Sequence, residues 1–325
     1  MNREVVLRIL QLSGPYNFIN RQVCSQFRQL AKKVDPLVYL DQLLADGRSI
    51  KEFVPSEETL AQAVDKELLH LLSFIKEHLN WTICGVAARK GKFSVLRWAI
   101  ENEFECFYPT ALCVAKKGDL DTLKWLKEKG FYWKLGTCEQ AAYLGYLDIV
   151  QWCAEDGPPQ GETVCYYAAE GGHLEVLQWC RKHNFSWDEN VCAGAAQNGH
   201  LEILQWVRSA NCPWNEETCH GAIREGHLEV LKWAHSQGCP WNELCFSSAA
   251  ALGNLEILEW LKEESCPWDE YAYFEAAAEG HLKVLKWLKE NGFIRDETTW
   301  REWVYSAARH GHQEILEWMK EEDSQ

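Results

Sequence analysis

Nine tryptophans set the frame of this chain. Trp98, Trp125, Trp152, Trp179, Trp206, Trp233, Trp260 and Trp287 follow one another at intervals of 27 residues, and Trp318 comes 31 after the last. Seven residues before each stands a glycine: Gly91, Gly118, Gly145, Gly172, Gly199, Gly226, Gly253, Gly280 and Gly311. A fixed period of this length is the mark of stacked units, each too small to bury its own apolar face. A fold of two ordinary globular domains, which the length of 325 residues alone would suggest, is excluded by that regularity.

Further columns keep the same period. His173, His200, His227, His281 and His312 directly follow their glycines, and alanine pairs such as Ala141-Ala142, Ala168-Ala169 and Ala195-Ala196 precede them. One unit, residues 212–238, shows the physics. Asn215 before Glu216 and Glu217 reads as an N-cap followed by acids in the first turn. Cys219, Ala222 and Ile223 then recur at helical spacing until Gly226 ends the helix. Leu228, Val230, Leu231 and Trp233 give a second helix its core face, and Gly238 stands at the left-handed C-cap. No strand pattern appears. The expected fold is all-α: a right-handed solenoid of about ten helix pairs over residues 60–325, with Phe74 and residues 64–72 as a degenerate first unit.

The string Ala-x-x-Gly-His-Leu-Glu-Val-Leu, as in Ala169–Leu177 and with small changes in Ala196–Leu204 and Ala277–Leu285, resembles the second half of an ankyrin repeat. The ankyrin period is about 33, and its Thr-Pro-Leu-His-x-Ala opening is reduced here to Thr218-Cys219-His220-Gly221-Ala222. The units are similar to the short, tryptophan-containing ankyrin-like repeats of large DNA viruses and some protists. What the resemblance implies is an ankyrin-like helical-repeat solenoid that binds another protein.

Residues 1–40 do not follow the period. Residues 5–12 form a short amphipathic pattern ended by Ser13-Gly14-Pro15, and residues 18–30 form a second. Their order resembles an F-box, with Leu7, Leu10, Leu12, Phe18, Val23 and Phe27 on its apolar positions, together with Ile19 and Leu30. That resemblance implies docking on a Skp-type adaptor and so on a cullin ubiquitin ligase. The Leu-Pro that usually opens an F-box is missing, and a helical module that merely caps the end of the stack accounts for the same residues. Both readings stand. Residues 41–59 read as a connector.

Composition narrows the partners. The chain carries -15 overall, but residues 1–40 are basic, so the remainder is more acidic still. Such a body repels phosphate backbones, and nucleic acid is not an expected partner. No apolar run reaches the length of a membrane span and no secretory signal opens the chain, which predicts a cytoplasmic monomer with reduced thiols. The 14 cysteines recur with the period, as in Cys138, Cys165, Cys192 and Cys219, without the paired spacing of a zinc site. Phe246, Tyr273 and Val304 stand in that column in other repeats, so apolar packing explains it. The repeated His-Leu-Glu of His173–Glu175 lacks the partner motif of a zinc deaminase and reads as a turn feature. No catalytic, metal or cofactor constellation emerges. Trp133, Trp187, Trp214, Trp241 and Trp268 form a second aromatic column in the connectors, read as packing with partial exposure.

Recognition is expected where repeats differ. Between the small pair and the glycine the side chains vary, with Arg89, Lys90, Lys116, Lys117, Tyr143, Gln197 and Arg224 among them. One turn earlier stand Gln140, Tyr166, Tyr167, His220 and Phe274. The ankyrin resemblance implies that these line the concave binding surface, where tyrosine and arginine make strong anchors.

Overall fold

The computed structural model describes residues 35–48, 53, 55–79, 82–106, 109–131, 136–155, 161–293, 306–307 and 309–322. It divides into two compact units, residues 1–135 and 136–325. Every regular element among the described residues is helical, and no helix there is long and apolar enough to cross a membrane. The F-box-like positions Leu7, Leu10, Leu12, Phe18, Val23 and Phe27 lie outside the described residues.

In the second unit the building block is a pair of helices. First helices Thr137–Tyr143, Gly161–Glu170, Glu189–Gln197, Glu216–Arg224, Glu243–Leu252 and Tyr271–Ala278 alternate with second helices Leu147–Glu155, Leu174–Lys182, Leu201–Ser209, Leu228–Ser236, Leu255–Glu263 and Leu282–Glu290. Each first helix packs on the first helix of the next repeat. The alanine pairs sit fully buried in that contact, where any larger side chain would push the helices apart. Val230, Leu231 and Ala234, with their equivalents, bury the inner stripe of the second helices.

Local chemistry explains why each helix starts and stops. Asn215 has extended backbone and its side chain accepts from Glu217 N at 3.1 Å; Asp188 and Asn242 cap their helices in the same way. The next repeat then covers these caps. The thiols of Cys212, Cys239 and Cys266 donate to the carbonyls of Asp188, Asn215 and Asn242 at 3.3, 3.4 and 3.7 Å. This cysteine column is therefore a donor as well as a small apolar side chain.

Among the described residues of the first unit the earliest helix is Pro36–Ala45, capped by Asp35 with proline at the start of the helix. Glu57–Asp65 and Leu69–Phe74 form the degenerate pair, and two fuller pairs follow: Ile83–Lys90 with Phe93–Glu101, and Thr110–Ala115 with Leu120–Glu128. In the degenerate pair Glu67 takes the glycine's place with φ of +57°, and Phe74 takes the tryptophan's. Cys84 and Cys106 form a disulfide with Cα atoms 5.4 Å apart, which departs from the expectation of reduced thiols throughout. The remaining described cysteines are free, and nearly all are buried.

The tryptophans hold the flank of the stack. Trp187 meets Trp206 edge-on at 6.0 Å, Trp214 meets Trp233 at 6.1 Å, and Trp241 meets Trp260 at 5.7 Å. The preceding second helix lays a cation or imidazole on each connector ring: Arg181 on Trp187 at 4.5 Å, Arg208 on Trp214 at 4.0 Å, and His235 on Trp241 at 3.7 Å. Both aromatic columns are thus packing elements, as their period implies.

Candidate functional site

Four of the histidines that follow a glycine tie one repeat to the one before it. His173 Nε2 donates to the Tyr143 carbonyl at 2.9 Å, His200 to Glu170 at 3.2 Å, His281 to Ala251 at 2.8 Å, and His312 to Ala278 at 2.8 Å. These carbonyls end the preceding first helix, where no intrahelical donor is left for them. The glycine is required twice over. At Gly253 φ is +73°, and a Cβ there would lie 2.6 Å from His281 Nδ1. Where Asn254 replaces the histidine, its side chain instead caps its own helix by accepting from Ile257 N at 3.1 Å. Gly226, which faces that asparagine, meets nothing closer than Leu252 at 3.6 Å.

These struts fix the first helices as a row. In the second unit Tyr143, Tyr167, Arg224 and Phe274 are exposed, while Gln140, Tyr166, Gln197 and His220 are half-buried. In the first unit Arg89, Lys90, Lys116 and Lys117 are all exposed, and Lys90 pairs with Asp65 at 2.6 Å. The predicted residues of each unit therefore fall at or just after the ends of successive first helices, or one turn inside them.

Two exposed side chains escaped the sequence reading. Tyr271 is 63% and Leu244 45% exposed, beside Phe274 at 41%. Both stand nine residues before their glycines, three before the column of Tyr166, His220 and Phe274. That is one helical turn along the same face, so the i, i+3, i+7 stripe carried the signal.

The face is tightly packed at one end and looser further along. Gly194 brings its helix against the Tyr166 ring, where a Cβ would sit 3.1 Å from Cε2, and Gly221 brings the next helix against the Ala193 carbonyl. At the third equivalent position Ser248 replaces glycine. Its Oγ and His220 Nε2 share a hydrogen bond of 2.6 Å, and Glu216–Arg224 approaches Glu243–Leu252 over a shorter stretch than the other neighbouring first helices of the second unit. Glu217 Oε2 is 3.5 Å from His220 Nδ1, so a serine, an imidazole and a carboxylate stand in a row. Ser248 lies inside a helix, with Ala249 and Ala250 beside it buried in the packing between repeats. The contact is a strut between repeats.

Burial shapes the electrostatics. It raises the Glu170 carboxyl and the Tyr166 hydroxyl above their ordinary values. Asp269 is raised by burial and further by Glu243 and Glu270 beside it. The thiols of Cys138, Cys165, Cys192 and Cys219 are held high, first by hydrogen bonds to Cys153, Cys180, Cys212 and Cys239 and then by burial. Among the described residues no group of three or more His, Cys, Asp or Glu is arranged to hold a metal.

Comparison with known proteins agrees with the repeat unit. The family model described as ankyrin repeats (many copies) matches residues 138–179, a stretch that spans most of one helix pair and the first helix and tryptophan of the next. Over these residues the chain is similar to that family. No curated protein matches the chain. Among solved structures, the human ASB11 ankyrin repeat domain is similar at 17% identity with a TM-score of 0.39, covering 48% of this chain and 83% of that one.

Proposed function

We propose that the protein is a non-enzymatic adaptor whose ankyrin-like repeats hold a protein target on the row of first helices. The observation that carries this reading is the division of labour along each first helix. Positions shared by the repeats are buried, whereas the positions that differ put Tyr143, Tyr167, Arg224 and Phe274 into solvent. Exposed aromatics and arginine at the centre of a face are the side chains that most often dominate protein binding. Arg89, Lys90, Lys116 and Lys117 extend the same role to the first unit, and Gln140, Tyr166, Gln197 and His220 supply its polar and half-buried part.

In this reading residues 1–40 act as an F-box, and the protein is a substrate receptor that brings its target to a cullin-type ubiquitin ligase in the cytoplasm. The support is the spacing of Leu7, Leu10, Leu12, Phe18, Val23 and Phe27. Pull-down with a Skp-type adaptor tests this part: wild type binds, and a Leu10→Asp/Phe27→Asp double variant does not. Failure of the wild type to bind leaves a stand-alone ankyrin-type scaffold that masks or gathers its partner. Proximity labelling with wild type and with a variant carrying Tyr143→Ala, Tyr167→Ala, Arg224→Ala and Phe274→Ala tests the face itself. A target labelled equally by both proteins removes the basis for the assignment.

A further inference from the structure

The exposed side chains at the far end of the second unit differ in kind from the rest of the face. Leu244 and Tyr271 occupy equivalent positions on two first helices that pack directly on each other, Glu243–Leu252 and Tyr271–Ala278. Phe274 stands one turn beyond Tyr271, with ring centroids 6.5 Å apart. All three are exposed, and they stand on two helices in direct contact as an apolar knuckle. Between them the helices offer Ser248, Ala251 and Ala278, side chains too small to cover it.

On these two helices and their caps the charges have one sign. Glu243, Glu270, Glu275 and Glu279 stand there with no lysine or arginine, and the nearest described cation along the row is Arg224 on the preceding first helix. The carboxylates press on one another: the raised Asp269 carboxyl owes part of its shift to Glu243 and Glu270. Acids at helix starts are ordinary, since the helix dipole favours them. Acids encircling exposed aromatic rings are a recognition pattern, because the apolar centre supplies affinity and the charged rim selects the partner. A second copy of this chain would bring the same carboxylates to the contact, and nucleic acid would bring phosphates. Both would add like charge.

We infer that Leu244, Tyr271 and Phe274, within their collar of glutamates, dock an amphipathic basic helix of a partner protein. Its apolar side chains seat on the knuckle, and its flanking lysines or arginines meet Glu243, Glu270 and Glu275. This is recognition of an amphipathic helix by its apolar face, laid across two adjacent repeats. The inference rests on the reading of the first-helix row as the protein-binding face and adds the chemistry of what binds there.

The test uses the full chain and two fluorescein-labelled peptides of about 14 residues, each with leucines at helical spacing. One carries lysine at every other position and the other carries glutamate. Anisotropy titrations at physiological salt compare wild type with Tyr271→Ala/Phe274→Ala, with the matched pair Tyr143→Ala/Tyr167→Ala, and with Glu243→Lys/Glu275→Lys. The leucine–lysine peptide is expected to bind wild type. The Tyr271/Phe274 pair should weaken it by roughly tenfold or more, against less than about threefold for the Tyr143/Tyr167 pair. The lysine variant should shift preference to the leucine–glutamate peptide. All but Glu275, which is half-buried, are exposed side chains, and unchanged thermal unfolding of each variant confirms the fold.

Equal weakening by both aromatic pairs would mean unspecific attraction to an acidic chain, and the inference falls. It also falls if both peptides bind wild type alike. Concentration-dependent dimerisation lost in Tyr271→Ala/Phe274→Ala would replace the proposed occupant by a second copy. Proximity labelling separates the two levels of argument. A target lost with the four-residue face variant yet retained by Tyr271→Ala/Phe274→Ala leaves the adaptor reading intact and overturns this one.

Discussion

Gly226 and Gly253 make a matched pair for measuring what a histidine strut is worth. Both adopt left-handed backbone, with φ of +79° and +73°. Replacing either by alanine adds a Cβ in that region, at about 1–2 kcal/mol. At Gly226 the new methyl meets only Leu252 at 3.6 Å, an ordinary contact, so the cost should end there. At Gly253 it would lie 2.6 Å from His281 Nδ1. The imidazole must then swing away, giving up its bond to the Ala251 carbonyl, with a further cost of about 1–2 kcal/mol. Gly253→Ala should therefore cost about 2–4 kcal/mol, roughly twice Gly226→Ala, and the melting temperatures should differ by several degrees for a body of this size. Urea titrations followed by circular dichroism give the free energies. His281→Ala supplies the cycle: combined with Gly253→Ala it should cost about 1–2 kcal/mol less than the sum of the two single changes. Equal costs at the two glycines, or additivity in that cycle, would show that backbone strain alone explains the glycine column.

Removing the cation above a connector tryptophan, by Arg208→Ala, should destabilise the second unit by about 1 kcal/mol and red-shift its tryptophan emission, with Arg208→Lys falling between. Reducing Cys84–Cys106, or substituting Cys106→Ser, should cost the first unit about 3 kcal/mol for a loop of this length, and alkylation under native, non-reducing conditions followed by peptide mapping should find both residues unmodified. The buried thiols set the alkaline limit. Cys245 is pushed up to about 11 by burial, so folding favours its protonated form; that stability is complete below the ordinary thiol value of 9.0 and is lost as pH rises toward 11. Thermal melts from pH 8 to 11 should show the midpoint falling across that interval, and a flat profile there would contradict the assigned burial.

The period of 27 carried most of the fold, because glycine, alanine and tryptophan each answer a demand within one repeat or between like positions. The role of the histidines was not legible for a geometric reason. His173 reaches the Tyr143 carbonyl 30 residues back, a distance that fits no local motif and corresponds to no shared column. Asn254 was readable as a cap by its residue type, yet its meaning as a missing strut needed the neighbouring rings. The disulfide was hidden because Cys106 stands off the register of Cys212, Cys239 and Cys266. On the first helices, Tyr166 and Phe274 share a column near the helix end, whereas the exposed Leu244 and Tyr271 lie one turn earlier, where the two preceding repeats carry asparagine and glutamate.

At the junction between the pair ending at Ser236 and the pair beginning at Glu243, Ser248 stands where Gly194 and Gly221 let earlier helices close up, and Asn254 stands where His173, His200 and His281 reach back. A stack held by nearest-neighbour contacts parts where one contact is weakest. Under tension or partial denaturation the second unit should open there like a book, with Tyr143, Tyr166 and Tyr167 on one leaf and Leu244, Tyr271 and Phe274 on the other. A ligand long enough to touch both leaves would then read their spacing, and would hold the book shut while it stayed bound.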